Sequence, residues 1–487
     1  RPPLPPARSL GGRTTGQPRQ KSGEPPAEMD PSGPAGDSPY HLTDFGNAER
    51  LVAQHGEDLR YCHAWGRWLS WDGGRWAADE NDAITRKAKA TVRAIYAEAS
   101  EAPSEGDRRA IASWAMRSEA QSRIMAMIGL AQSESPVIVK PEALDADPWR
   151  LTVANGTLDL RTGELCPPQR GDLITKATTA RYDPKAKCPR WMAFLDRIMQ
   201  GNRELISFLQ RSAGYSLTGN TSERALFICH GTGANGKSTF LDVLKALLGD
   251  YGATTSSQTL MLKRNDAIPA DLAALRGVRL AVAGETEQGQ YLAEAQVKAM
   301  TGGTDELAAR FLHGNWFTFR PVFKIWLATN HKPTIRGTDN AIWDRIRLIP
   351  FLETIPPDEQ DRALAEKLKD ELDGILTWAV RGCLDWQRDG LQAPAIVEGA
   401  TADYRAEMDV LAAFLADCCI IAAYASCPAG QLYTAYKEWA LGSGEEPLSQ
   451  RVFSARMRER GLQTGARTRA GYIYKGLGLI NPPQELG

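Results

Sequence analysis

The chain has no apolar run of about 18 residues, the length a bilayer-spanning helix requires. Its 43% hydrophobic residues therefore predict a packed interior rather than a membrane anchor. It also has no excess of either charge: 58 basic residues stand against 59 acidic ones, a net charge of −1. That excludes a protein coated in positive charge, so any nucleic acid must be met by local basic patches or a channel built by several subunits. The 8 cysteines are scattered (Cys62, Cys166, Cys188, Cys229, Cys383, Cys418, Cys419, Cys427), with no C-x-x-C pair. No Cys/His set has zinc spacing, which leaves reduced, mostly buried thiols as the reading and a bacterial or host cytosol as the expected location. The first residues carry no charged-then-apolar leader pattern, and no internal repeat is present.

What is present is a phosphate-binding loop pattern. Gly231-Thr232-Gly233-Ala234-Asn235-Gly236-Lys237-Ser238 fits G-x-x-x-x-G-K-[ST], followed by Thr239. The apolar run Ala225–Cys229 predicts a strand feeding the loop. Leu241, Val243, Leu244, Leu247 and Leu248 predict the buried face of a helix leaving it. Glycines allow backbone N–H groups to face phosphates, and the helix N-terminus adds partial positive charge. Residues 231–239 are thus the expected ATP cradle, with Lys237 on the β- and γ-phosphates and Ser238 as a Mg²⁺ ligand.

Hydrolysis needs more: a carboxylate for metal and water, a polar reader of the γ-phosphate, and a cation for the transition state. The apolar segment Val278–Gly284 ends in Glu285-Thr286-Glu287, so Glu285 is the first choice for Mg²⁺ and water and Glu287 the second. Phe323–Thr329 predicts another core strand, ending at Asn330, which suits the γ-phosphate. Arg345 and Arg347 precede and enter the apolar stretch Ile346–Phe351 and share a face by alternation, which makes either an arginine-finger candidate. Between the acid-tipped and Asn-tipped strands, Gly314-Asn315 predicts a tight hairpin carrying His313 and Trp316 at its tip and Arg310 below. It reads equally as a DNA-gripping element or as plain structure.

Elsewhere, Pro-rich residues 1–40 predict a disordered tail or linker, with Met29 a possible natural start. Residues 46–62 predict a helix, Trp65–Trp76 a hairpin whose tryptophans pack a small core or stack bases, and residues 82–132 helices. Asp145 and Asp147 stand in Asp-Ala-Asp-Pro and read as turn chemistry. Strands are expected near Leu151–Val153 and Thr157–Leu160, and helices over 190–220, 358–400 and Tyr404–Ala423. At the C-terminus, a helix at Leu432–Trp439, a basic helix at Ser449–Arg460 and a hairpin at Leu462–Leu477 suggest a winged helix. Arg456, Arg458, Arg467 and Arg469 are its candidate DNA contacts.

Taken in order, the loop at 231–238, Gly-Glu-Thr-Glu at 284–287, Leu-Ala-Thr-Asn-His-Lys-Pro at 327–333 and Trp-Asp-Arg-Ile-Arg-Leu-Ile-Pro-Phe at 343–351 resemble superfamily 3 helicases. The likeness is nearest to the helicase module of phage and plasmid primase–helicases, related to the poxvirus-type helicase–primase. Lys298–Asp305 resembles that family's extra motif, Asn155–Gly163 its entry segment, and Thr43–Ala48 the start of its helicase-associated domain. The resemblance implies an α/β fold: a P-loop NTPase core of AAA+ type with an α-rich N-terminal domain and a C-terminal winged helix. The implied division is a tail over 1–40, the helicase-associated domain over 41–190 and the ATPase core with its preceding helices over 191–355. A helical extension over 356–425 and the winged-helix unit over 426–487 complete it. It further implies a homo-hexameric ring with ATP between subunits, an arginine finger acting in trans, and 3′ to 5′ translocation on single-stranded DNA to open forks. No primer synthesis is expected of this chain; a primase is either a separate partner, as a replication initiator could be, or a part removed from a longer protein. The alternative is an ATP-dependent initiator or loader that assembles on DNA without processive unwinding.

Overall fold

A computed structural model describes residues 40–262, 271–286, 289–310, 315–337, 339–443, 446–465 and 471–480. The predicted tail, apart from Tyr40, lies outside them. The chain divides into two compact units, one of residues 1–54 and 85–131, the other of 55–84 and 132–487.

The first unit is helical. Ile95, Ala99, Ala102, Ile111, Trp114 and Ala115 recur at helical spacing and form its core. Arg50 and Asn47, buried beside that core, are paired. Arg50, fully buried, meets Glu98 at 2.9 Å, and Asn47 accepts from the Trp114 indole N–H at 3.0 Å while donating to Ser118 Oγ at 3.0 Å. The helix expected over 46–62 runs instead from Asp44 to His55.

In the second unit, the residues after that helix turn through a 3₁₀ segment into a strand, Leu59–Cys62, which pairs antiparallel with Arg67–Trp71. Trp76–Ala78 adds a third strand. Trp76 is buried here with Cys62 and Leu69, whereas Trp65 and Trp71 pack at the cluster's margin. A second small sheet is built from Arg150–Val153, Gly156–Asp159 and Glu164–Cys166. Asp145 and Asp147 lie in the loop before it. Asp145 accepts from the Thr175 backbone N–H at 2.7 Å, and Asp147 from that of Trp149 at 2.9 Å.

The centre is a five-stranded parallel sheet. Its order is Ile346–Pro350, Leu226–His230, Lys324–Thr329, Leu280–Ala283, Gly252–Thr255. Both faces are covered, so its strands read as continuous apolar runs. Phe227, Cys229, Trp326 and Ala328 face one core with Trp191, Phe194, Phe208, Phe240 and Trp378. Leu226, Ile228, Ile325 and Leu327 face the other, with Val297, Met300, Trp343 and Tyr404. Burying a large side chain contributes about 1.5–3 kcal/mol, so these two layers dominate the energetics that hold the strand ends in register.

The C-terminal part differs from expectation in its helix and in its hairpin. The segment predicted as a helix to Ala423 stops at Cys418 and continues as a strand, Cys419–Pro428. That strand pairs antiparallel with Ile473–Leu479, from Cys419 opposite Leu479 to Pro428 opposite Ile473. Of the expected local hairpin over 462–477, the described residues show a bridge between Thr464 and Tyr474. Helices Ala429–Gly442 and Gln450–Glu459 close a core of Leu411, Phe414, Tyr436, Phe453, Met457, Tyr474 and Leu477. Among the described residues no helix is long and apolar enough to cross a membrane.

Candidate nucleotide-binding site

The strand Leu226–His230 delivers the loop, and the helix Lys237–Leu248 leaves it. Three residues hold positive φ: Gly233 at 112°, Ala234 at 48° and Gly236 at 84°. Gly236 has a second constraint, since a Cβ there would stand 2.6 Å from Ile198 Cγ2. No side chain caps the helix start, which leaves its first N–H groups open to an anion. Asn235 pins the loop through its side-chain amide to Phe351 O at 3.3 Å, and the Ile355 N–H donates to Ala234 O at 2.8 Å.

Lys237 is 5% exposed. Its ammonium donates to Gly231 O at 2.7 Å, Asn235 Oδ1 at 2.9 Å and Asn330 Oδ1 at 3.0 Å. Burial lowers its pKa from the usual lysine value, opposed by Cys229 and Glu285 nearby. Asn330 in turn donates from Nδ2 toward Glu285 Oε1 at 3.4 Å. Three expected site residues from three segments therefore form one chain, Lys237–Asn330–Glu285. Parallel pairing explains it: His230 is level with Thr329, and Leu327 with Ala283, so all three segments emerge from the same sheet edge. Glu287 lies outside the described residues.

Two residues escaped the sequence reading. Thr286 and Thr329, both buried, bring their hydroxyl oxygens to 2.7 Å from each other and to 2.8 and 2.7 Å from His331 O, three contacts shared by two hydroxyl protons. Ser257 Oγ donates to Glu285 O at 2.9 Å. These bonds fix the turn that carries Glu285 against the turn that carries Asn330. The signal was available: threonine occupies the polar end of both apolar runs.

Ser238 and Glu285 are both exposed at this edge. Mg²⁺ is usually held by one or two protein oxygens plus phosphates and water, so a hydroxyl and a carboxylate are a donor set that fits it. No larger cluster of metal-ligating side chains exists among the described residues. Beside the loop opens a pocket of about 520 Å³, lined by Phe194, Arg197, Gly236, Thr239, Ile355 and Leu364 among others.

The arginines lie elsewhere. Leu226 N donates to Arg345 O at 2.7 Å, at the amino end of the sheet. The loop is one strand-length away, about 16 Å at 3.3 Å per residue. Arg345 bonds Thr301 Oγ1 at 3.1 Å and Ala341 O. Arg347 bonds the carbonyls of Asp344 at 2.8 Å and Ile346 at 3.0 Å, and burial lowers its pKa.

The hairpin is described up to its tip. Leu307–Arg310 pairs with Trp316–Phe319, Arg310 opposite Trp316, with the guanidinium 5.3 Å from the indole centre. Trp316 is 53% exposed. His313 lies outside the described residues, as do Arg467 and Arg469. Arg458 is exposed, whereas Arg456 turns toward the sheet-bearing part and bonds Arg336 O.

Residues 48–200 match the family described as "D5 N terminal like", and residues 229–345 match a family of unknown function. The chain carries a D5 N-terminal-like domain. The chain is also similar to viral proteins. "Putative helicase L207/L206" of Acanthamoeba polyphaga mimivirus is 29% identical over 300 residues, covering 56% of this chain and 31% of that protein. "Putative helicase 022R" of Frog virus 3 is 28% identical over 280 residues, covering 53% and 28%. The match thus spans about a third of these relatives' length. The expected kinship with viral helicase proteins is borne out. Among solved structures, the A-form apo NrS-1 C-terminal region aligns with TM-score 0.39 and 11% identity over 74% of this chain and 90% of that one, a likeness too low to carry an argument.

Proposed function

We propose that this chain is the ATP-hydrolysing motor of a replicative DNA helicase from a virus, phage or plasmid-like element. The observation that carries the reading is the Lys237–Asn330–Glu285 chain at the carboxyl edge of a parallel sheet, beside an uncapped helix start. Lys237 is placed to neutralise terminal phosphate charge once it exchanges a protein acceptor for a phosphate oxygen. Asn330 orients it and reads the γ-phosphate, while Glu285 polarises the attacking water. Bound Mg²⁺, held by Ser238 and Glu285, would supply charge neutralisation of the phosphates. The nucleoside end fits the pocket beside Thr239, because the triphosphate runs along the loop away from Lys237.

The placement of Arg345 and Arg347 at the far end of the sheet supports a trans finger, since neither reaches the loop of its own subunit. That favours a ring of AAA+ type, hexameric by the family likeness, with the Arg310–Trp316 hairpin in its channel and translocation 3′ to 5′. The viral relatives' names support the helicase assignment. The test is ATP hydrolysis with and without single-stranded DNA, on the wild-type chain and on Lys237→Ala. Turnover that DNA stimulates and the variant loses is expected. Slow turnover indifferent to DNA would favour the initiator or loader reading.

A further inference from the structure

Away from the loop, a pocket of about 240 Å³ is lined by four arginines, Arg336, Arg405, Arg456 and Arg460, against two acids, Asp409 and Glu459. Three parts of the chain contribute. Arg336 follows the Asn330 turn, Arg405 projects from the helix Ala395–Glu407, and Arg456 comes from the basic helix Gln450–Glu459, with Arg460 just beyond it. Each guanidinium is oriented by the protein. Arg405 donates to Asn340 Oδ1 at 2.6 Å, Arg460 pairs with Asp409, and Arg456 bonds Arg336 O. Arg336 lies 3.6 Å from the Tyr291 ring centre and reaches Glu446 at 3.3 Å.

These contacts use only part of the donor capacity, since each guanidinium carries five N–H groups. Arg460 Nε is buried and has no acceptor, an arrangement that costs free energy unless something accepts the bond. Asp409, Glu459 and Glu446 still leave the four arginines with a net positive charge, and preset planar forks match a tetrahedral oxyanion. The same basic helix keeps Arg451 and Arg458 exposed, on the face turned away from Arg456, since residues two and five positions apart lie far round a helix.

We propose that this pocket takes a phosphate of a nucleic-acid backbone, seating single-stranded DNA where the basic helix meets the sheet-bearing part. The inference rests on the DNA-motor reading above. A free phosphate compound has the same chemistry, and the test separates the two sources.

The experiment is binding of a labelled oligothymidylate by fluorescence anisotropy across a salt series, with wild type, Arg405→Gln and Arg336→Gln. The Arg336 side chain is 51% exposed, so its removal tests the pocket even if Arg405→Gln misfolds by circular dichroism. A lost phosphate contact should flatten the slope of log affinity against log salt by about 0.7 for a single strand, with affinity several-fold weaker at fixed salt. Slopes equal to wild type in a folded variant overturn the proposal. So does pyrophosphate raising the melting temperature of wild type but not of Arg405→Gln while the DNA slopes stay equal, which assigns the pocket to a small anion. Binding of a fluorescent ATP analogue, compared with Lys237→Ala, is run in parallel. If it is absent the motor reading fails; if it is intact and the slopes are equal, only the pocket assignment fails.

Discussion

Asn330→Ala isolates the residue that joins the two halves of the site. The change removes one of three acceptors on Lys237, the bond of 3.0 Å, and the 3.4 Å contact that steadies Glu285. A hydrogen bond to a charged group is worth about 1.5–3 kcal/mol. The longer contact sits at the outer limit of hydrogen bonding and adds little. At about 1.36 kcal/mol per tenfold, the expected loss in kcat is about 10- to 150-fold. Nucleotide affinity should change little, because the loop N–H groups and Lys237 remain. The assay is steady-state hydrolysis with kcat and KM separated, plus equilibrium binding of a fluorescent analogue. Asn330→Asp is the informative partner: a second carboxylate would hold Lys237 more tightly and repel the γ-phosphate, so affinity should fall as well. An Asn330→Ala enzyme with kcat unchanged, or one whose entire defect is in affinity, would refute the reasoning.

Three further outcomes are expected. Arg345→Ala should abolish turnover while sparing nucleotide binding, and mixing it with Lys237→Ala should restore partial activity because intact loop and intact finger then meet across subunits; no recovery in mixed assemblies counts against action in trans. Trp316→Ala should leave DNA-independent turnover in place and weaken single-strand binding by about 1–3 kcal/mol per base no longer stacked, measured by anisotropy and by DNA stimulation of hydrolysis. Lys324 is 1% exposed and burial sets its pKa well below the usual 10.5. The folded chain thus releases this proton at lower pH than the unfolded one, so the lysine's contribution is complete above 10.5 and falls away as pH drops toward its depressed value. Wild type should gain denaturant stability relative to Lys324→Met as pH rises toward 10.5, and parallel profiles would contradict this.

Much of the site is legible in the sequence. The loop, Glu285 and Asn330 each stand where an apolar run gives way to polar residues, and a parallel sheet buried on both faces writes that transition directly into sequence. What could not be read is which ends come together: the order that sets the Asn330 strand between the loop strand and the Glu285 strand depends on long-range packing of Trp326 and Phe227. The helix boundaries at His55 and Cys418 were misread for a related reason. Leu59–Cys62 and Cys419–Pro428 are amphiphilic enough to continue a helix, and only partners distant in sequence, Arg67–Trp71 and Ile473–Leu479, make them strands. A basic helix pattern does not say which arginine lines a pocket, and Arg456 does so beside Arg336.

The amino end of the sheet bears on how this chain can be cut. Arg279, 4% exposed, donates to Leu217 O at 2.7 Å and Arg150 O at 2.6 Å. Lys324 beside it donates to Thr218 O, to Asn220 O at 3.2 Å and to Val322 O at 3.2 Å. Neither cation rests on a carboxylate there; both are solvated by main-chain oxygens that other segments supply. A fragment begun at residue 191 would carry the whole phosphate loop yet leave Arg279 short of an acceptor from the Arg150 strand. A fragment begun upstream of Asp147, inside the stretch matched to the D5-like family, keeps both of Arg279's acceptors and so keeps this end of the sheet closed.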